Sequence, residues 1–138
     1  MWNMSGINTM QALFLLCCMF YLHIVDDFYV QGLLAKLKQN LWWREHYPDS
    51  LYAHDWLIAL LLHAFSWAFT IMLPITVHMI YIGKSNTVFY GIALCLNICI
   101  HAITDHIKAN RLQISLLQDQ CIHLVQVFIT WTAYLFLV

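Results

Sequence analysis

The stretch that decides the fold is residues 54–82, which read HDWLIALLLHAFSWAFTIMLPITVHMIYI. A bilayer core about 30 Å thick needs roughly 20 apolar residues per helix, so this stretch predicts a membrane-spanning helix. Three other stretches satisfy the same length requirement. The sequence therefore predicts four spans, at about 9–31, 54–82, 87–108 and 112–138.

Composition agrees with this reading over the whole chain. Of the 138 residues, 62% are hydrophobic and only 9% are charged, which lies well outside the range of soluble proteins. A formal net charge of -1 provides no basic surface for nucleic acid, so we expect no nucleic-acid partner. We predict an all-α, polytopic membrane protein in which residues 1–138 form a single transmembrane domain, a four-helix bundle in contact with the lipid bilayer.

The connection between the first two spans differs from the others. Residues 36–50 mix basic and aromatic side chains, which suits the headgroup region and predicts an interfacial amphipathic segment. Lys36, Lys38 and Arg44 are expected to be interface anchors. Lysine and arginine are richer on this face of the bundle than on the other, so the positive-inside rule predicts a protein of the inner (cytoplasmic) membrane with both termini outside.

Polar patches interrupt the apolar spans at regular intervals. Three His/Asp pairs are each separated by four residues, a spacing that places both side chains on one helical face, and a further histidine stands alone. Ionisable residues inside a span are costly and usually mark function. The candidate metal ligands are His23, Asp27, His63, His101, Asp105, Asp119 and His123.

Helix rise places these residues at one level. Counted from the basic face at about 1.5 Å per residue, all four histidines lie at a depth of roughly 10 to 18 Å. Imidazole and carboxylate ligands suit Zn, Mn or Fe, and seven of them suit one or two divalent ions. Such ions would also offset the three carboxylates, which otherwise must pair or become protonated. The site would lie nearer the cytoplasmic face.

Other polar residues rank lower as ligands. Gln31, Lys108 and Gln126 are candidates for hydrogen bonds that orient the ligands from outside. Asp26 adjoins Asp27 but points about 100° away on an α-helix, so it is the weaker ligand candidate. Trp67 is expected to serve packing.

The amino-acid sequences of these patches resemble those of a known family. The runs HIVDDFYVQ (23–31), HAFSW (63–67), HAITDHIKAN (101–110) and DQCIH (119–123) resemble a family of small polytopic membrane proteins of bacteria and their phages that is catalogued as a domain of unknown function. The resemblance implies that the aspartate before Phe28, Asp27, is the motif residue. More distantly, the pattern is similar to inner-membrane metal-dependent hydrolases.

Three functions stay open at this point. The first is a metal-dependent hydrolase acting on a lipid or membrane-associated substrate, in which Asp27, Asp105 or Asp119 serves as base if it is not a ligand. The second is a proton or divalent-metal transporter or channel, which oligomerisation could assist. The third is a membrane-disrupting or interaction protein of the phage type, which would not need a buried His/Asp layer.

Overall fold

A computed structural model describes residues 7–84 and 86–137 of the chain. These residues contain helices and no strand, which confirms the all-α prediction. The α-helices, in chain order, are α1 (Thr9–Ile24), α2 (Gly32–Leu37), α3 (Asn40–His46), α4 (Asp55–Tyr81), α5 (Thr87–Ala109) and α6 (Leu116–Leu137). A π-helical segment, Val25–Val30, continues α1, and a short 3-10 turn, Ser50–Tyr52, precedes α4.

Four helical segments are long and apolar enough to cross a membrane, which marks a multi-pass membrane protein. They are Thr9–Val30, Ser50–Tyr81, Thr87–Ala109 and Leu116–Leu137, with mean hydropathy between 1.4 and 1.9. Large apolar side chains cover their outward faces; Phe14 and Ile80, for example, are 71% and 75% exposed. Such faces are stable only against lipid, so the bilayer is their partner.

The four long helices form a ring. Helix α4 packs mainly against α1 and α5, and α6 packs mainly against α5 and α1, while α4 and α6 also touch across the bundle. Short connections join α4 to α5 and α5 to α6, which makes those neighbours antiparallel. Helices α2 and α3 lead from α1 to α4, and both pack against α4.

Local sequence signals explain where the helices end. Gly83, with φ of 65°, ends α4 in a Schellman turn, in which the Lys84 amide donates to Met79 O. Leu112 also has a positive φ, of 55°, and interrupts the fourth predicted span near its start.

Helix α6 begins four residues later than the sequence analysis predicts. Ser115 and Gln118 form a reciprocal capping box. The backbone N–H of Gln118 donates to Ser115 Oγ at 3.3 Å, and the backbone N–H of Ser115 donates to Gln118 Oε1 at 2.8 Å. This cap fixes the start of α6 at Leu116. The last residue of the predicted span, Val138, lies outside the described residues.

Two neighbouring aspartates, Asp26 and Asp27, lie in the π-helical segment. Asp26 is 1% exposed, and the Asp27 side chain is 9% exposed, so both point into the bundle. Their partners differ: Asp26 accepts hydrogen bonds from Ser66, Thr70 and Gln31, whereas Asp27 accepts from Gln120. That Asp26 is the weaker ligand candidate stays a prediction.

The interior has an apolar part and a polar part, with Trp67 between them. Buried apolar residues of all four long helices, among them Met19, Ile71 and Val127, form one core cluster with Trp67. The rings of His101 and His123 also contact Trp67. Trp67 therefore lies where the apolar core meets the histidines.

Candidate metal centre

Four histidine rings, one from each long helix, lie in contact in the polar part of the bundle. The ring centroids of His63 and His101 are 5.1 Å apart, those of His101 and His123 are 4.1 Å apart, and those of His123 and His23 are 6.0 Å apart. All four side chains are buried. Residues distant in sequence are thus brought into one layer.

Asp105 lies at the centre of three of these rings. Its Oδ2 is 2.7 Å from His63 Nε2 and 3.5 Å from His101 Nε2, and its Oδ1 is 3.7 Å from His123 Nε2. The carboxylate is 1% exposed. A buried carboxylate facing three ring nitrogens concentrates acceptor atoms and negative charge at one point, which is the chemistry of a cation site.

A second carboxylate, Asp119, extends the cluster toward α6. Its Oδ1 is 3.3 Å from His123 Nε2 and has no hydrogen-bond partner among the described residues. Its Oδ2 accepts from Lys108 Nζ at 2.6 Å and from Gln120 Nε2 at 3.0 Å. One oxygen of Asp119 is therefore held, and the other faces the histidines.

Two overlapping groups have the geometry to hold a metal ion. The ligand atoms of Asp27, His63 and His101 lie within 4.8 Å of one another, as do those of His101, Asp105 and His123. The groups share His101, so they form one continuous cluster. Among the described residues, Nδ1 of His63 and both ring nitrogens of His101 and His123 have no hydrogen-bond partner. Buried nitrogens without partners are costly, and a bound cation would satisfy those that carry lone pairs.

Lys38 reaches this cluster from the connection between α2 and α3. Its Nζ lies 2.6 Å from Asp105 Oδ2 and 2.9 Å from His63 Nε2, and the residue is buried. The interpretation of Lys38 as an interface anchor is therefore wrong. Because an ammonium group only donates, it bridges the two acceptors as a cation would.

Asn110, at the end of α5, holds the backbone around Lys38. Its side-chain nitrogen donates to Lys38 O at 3.1 Å, and its side-chain oxygen accepts from the Asn40 amide at 2.7 Å. Asn110 thus holds the backbone both before and after Gln39, next to Lys38. The sequence gives little sign of this arrangement, since a lysine at the basic end of the bundle is equally typical of the protein surface.

Both ring nitrogens of His23 form hydrogen bonds with neighbouring side chains. Trp67 Nε1 donates to His23 Nδ1 at 2.8 Å, so the other nitrogen, Nε2, donates to Gln120 Oε1 at 3.1 Å. Gln120 Nε2 in turn donates to Asp27 Oδ2 at 2.8 Å. His23 therefore positions Gln120, and Gln120 in turn positions the Asp27 carboxylate. No role for Gln120 was predicted from the sequence.

The three predicted supporting residues occupy different places. Lys108 contacts the candidate ligand Asp119, as described above. Gln31 donates to Asp26 and, at 3.3 Å, to the backbone oxygen of His63. Gln126 donates to the backbone oxygen of Asn97 at 2.8 Å, one turn beyond the cluster. Metal ligation by the seven predicted residues stays a prediction.

Comparison of the chain with protein-family models, curated proteins and solved structures finds no match. The resemblance to the family of bacterial and phage membrane proteins, and the more distant one to membrane hydrolases, therefore stay predictions, and function is argued from the geometry of the cluster.

Proposed function

We propose that this protein is a divalent-metal-dependent hydrolase of the membrane, acting on a lipid or a membrane-associated substrate. The observation that supports this most directly is the convergence of His63, His101 and His123 on Asp105, in which both ring nitrogens of His101 and His123 have no hydrogen-bond partner among the described residues. Histidine and carboxylate donors fit Zn, Mn or Fe.

The number and the charge of the candidate ligands also fit a divalent ion. His101, Asp105 and His123 would supply ligands for a first ion. Asp27 and His63, which form the other group with His101, or Asp119 would supply further ligands or bind a second ion. The carboxylates would offset the positive charge of the ion, which the low dielectric of the bundle requires. Gln120 and Lys108 would hold the carboxylates in place.

The chemistry that a bound divalent ion supplies is a lowered pKa of a coordinated water and polarisation of a phosphoryl or acyl oxygen. Asp119 is the best-placed base, because its Oδ1 faces the cluster while its Oδ2 is occupied by Lys108 and Gln120. Trp67, fully buried, stacks on His101 and would help to hold that ligand in place.

The position of the cluster supports a membrane-borne substrate. Asp105 lies four residues before the end of α5, and Asp119 lies three residues after the start of α6. At 1.5 Å per residue, both are about 5 to 6 Å from the helix ends, close to the headgroup level of a bilayer. We place this face, which carries most of the lysines and arginines, toward the cytoplasm and the protein in the inner membrane.

Metal content tests the proposal. Protein purified without chelators and then exposed to Zn²⁺, Mn²⁺ or Fe²⁺ in turn should retain at least one ion per chain, measured by mass spectrometry of the metal. His101→Ala, which removes the residue common to both candidate groups, should lose most of that metal. The matched control is His46→Ala, because His46 is exposed and its ring hydrogen-bonds to Trp42 O.

Hydrolysis is measured on the same samples. Metal-loaded wild-type protein in nanodiscs should cleave ester or phosphodiester lipid analogues, and chelator should stop the reaction. Absence of bound metal from the wild type after exposure to all three ions would refute the proposal. In that case, Lys38 and Lys108 would hold the cluster as a purely structural ion-pair network.

A second candidate, passage of protons or divalent ions, is favoured by the buried face of α6. That face is polar along most of the helix, since its buried residues other than Val127 are Asp119, His123, Gln126, Thr130 and Tyr134. In α5, Asn97 extends the row by donating to Thr130 Oγ1 at 2.9 Å. Flux of protons or Zn²⁺ into proteoliposomes that is lost in Thr130→Val would favour this candidate over hydrolysis.

A further inference from the structure

Asp26 belongs to a second buried polar site, separate from the His/Asp cluster. The residue is 1% exposed and lies in a membrane-spanning segment. Ser66 Oγ and Thr70 Oγ1 of α4 donate to its Oδ1 at 3.0 and 3.1 Å, and Gln31 Nε2 donates to its Oδ2. None of these partners carries a positive charge, which distinguishes Asp26 from Asp105 and Asp119 with their lysines.

Gln31 provides an independent sign that a ligand belongs here. It is 3% exposed, and its amide oxygen Oε1 has no hydrogen-bond partner among the described residues. The amide that contacts the Asp26 carboxylate thus also carries a buried oxygen in need of a donor or a cation. Within a bilayer, water cannot relieve that need as it does at a surface.

The surrounding oxygens match a hard cation. Carboxylate, hydroxyl and amide oxygens are the ligands that such ions take, and the hydrogen bonds to Asp26 that the structure describes come from two hydroxyls and one amide. One carboxylate among otherwise neutral groups balances a single positive charge, whereas a divalent ion would leave an excess charge in the membrane.

The backbone at the site also departs from a regular helix. Asp26 lies in the π-helical segment Val25–Val30, and Gln31 separates that segment from α2. Interrupted helices at membrane depth are where transport proteins hold sodium ions and protons, because side chains and backbone oxygens can turn toward a common point there.

We propose that Asp26, Ser66, Thr70 and Gln31 form a binding site for a monovalent alkali cation such as Na⁺. The site is distinct from the divalent-metal centre and does not depend on it. It adjoins that centre through His63, whose backbone oxygen accepts from Gln31 and whose ring contacts Asp105. Occupancy of the site would therefore stabilise the junction of the π-helical segment with α4.

Thermal stability in sodium tests the proposal, because a ligand that binds only the folded state raises the unfolding midpoint as its concentration rises. Full-length protein in detergent, treated with chelator, is titrated with NaCl while choline chloride keeps the ionic strength constant, and unfolding is followed by tryptophan fluorescence. We expect a saturable rise of the midpoint in the wild type and no rise in Asp26→Asn. Thr70→Val should raise the half-saturating Na⁺ concentration about tenfold or more.

Two variants separate this proposal from the others. Thr76→Val is the matched control, since the Thr76 hydroxyl bonds to Met72 O and Tyr90 and not to Asp26, so its Na⁺ response should equal that of the wild type. His101→Ala, which damages the divalent centre, should also keep the Na⁺ response. An equal midpoint in NaCl and choline chloride for the wild type, or an unchanged response in Thr70→Val, would overturn the site. Thr70→Val keeps the test decisive if Asp26→Asn does not fold.

Discussion

At Lys38, a side chain that the sequence places at the membrane interface reaches a buried aspartate and a buried histidine. The ammonium compensates Asp105 and uses the same lone pair of His63 Nε2 that a metal would use. Lysine and metal are therefore alternative partners for these two atoms. A single residue thus links the stability of the metal-free protein to the affinity of the candidate centre.

The variant Lys38→Met should lower the stability of the metal-free protein and raise the affinity of the candidate centre for metal. In chelator, it leaves the Asp105 carboxylate without its ammonium, and breaking such a buried pair costs about 3 to 5 kcal/mol of unfolding free energy. Metal affinity, measured by competition with a fluorescent chelator, should rise because the ion no longer competes with Lys38. Reversible unfolding in mixed micelles measures the first effect.

Lys36→Met is the control for this prediction. Lys36 lies two residues before Lys38, in α2, and is exposed, so its removal should change the unfolding free energy by less than about 1 kcal/mol. Equal effects of the two substitutions in chelator would show that the contact of Lys38 with Asp105 contributes no stability.

At the scale of the elements, helix ends and one irregular turn decide which side chains meet. The capping box at Ser115 and Gln118 sets the start of α6, and with it the rotation that directs Asp119 toward the cluster. Asp26 and Asp27 both lie in the π-helical segment and point into the bundle. The capping box was readable from the sequence as Ser-x-x-Gln, whereas the π-helical segment carries no comparable signal.

The turn between α4 and α5 supplies a prediction for an element boundary. Gly83 has a positive φ of 65°, so Gly83→Ala should lower the unfolding free energy by about 1 kcal/mol, even though a Cβ there would meet no atom within 4 Å. Gly91→Ala is the matched control, because Gly91 has equal space inside α5 and no positive φ.

The control should gain stability where the variant loses it. Alanine in a helix interior is about 0.5 to 1 kcal/mol more favourable than glycine, so Gly91→Ala should be neutral or stabilising in the same unfolding assay. A loss of stability in Gly91→Ala equal to that in Gly83→Ala would contradict the assignment of the cost to backbone conformation.

For the whole molecule, the ring of four long helices puts the α3–α4 connection and the α4–α5 turn at opposite ends. Helix α4 has 27 residues and is about 40 Å long, enough to cross the bilayer. In a variant whose native cysteines are replaced, Asp49→Cys and Lys84→Cys should react with an impermeant maleimide from opposite sides of the membrane.

The positive-inside rule adds a direction to this experiment. In intact spheroplasts, Lys84→Cys should be labelled and Asp49→Cys should be labelled only after permeabilisation. Labelling of both from one side would contradict the four-span topology, and the reverse pattern would overturn the orientation alone. The two outcomes are therefore distinguishable.

The sequence by itself determined the four long helices and the helical faces that carry their polar residues, because apolar length and four-residue spacing are local properties of the chain. It predicted that four histidines and three aspartates would come together, namely His23, Asp27, His63, His101, Asp105, Asp119 and His123. The tertiary structure alone decided which atoms face one another. His23 bonds to Trp67 and Gln120, while Lys38 contacts both His63 and Asp105. Those directions depend on helix rotation, on the π-helical segment and on packing between helices distant in sequence, which no local pattern encodes.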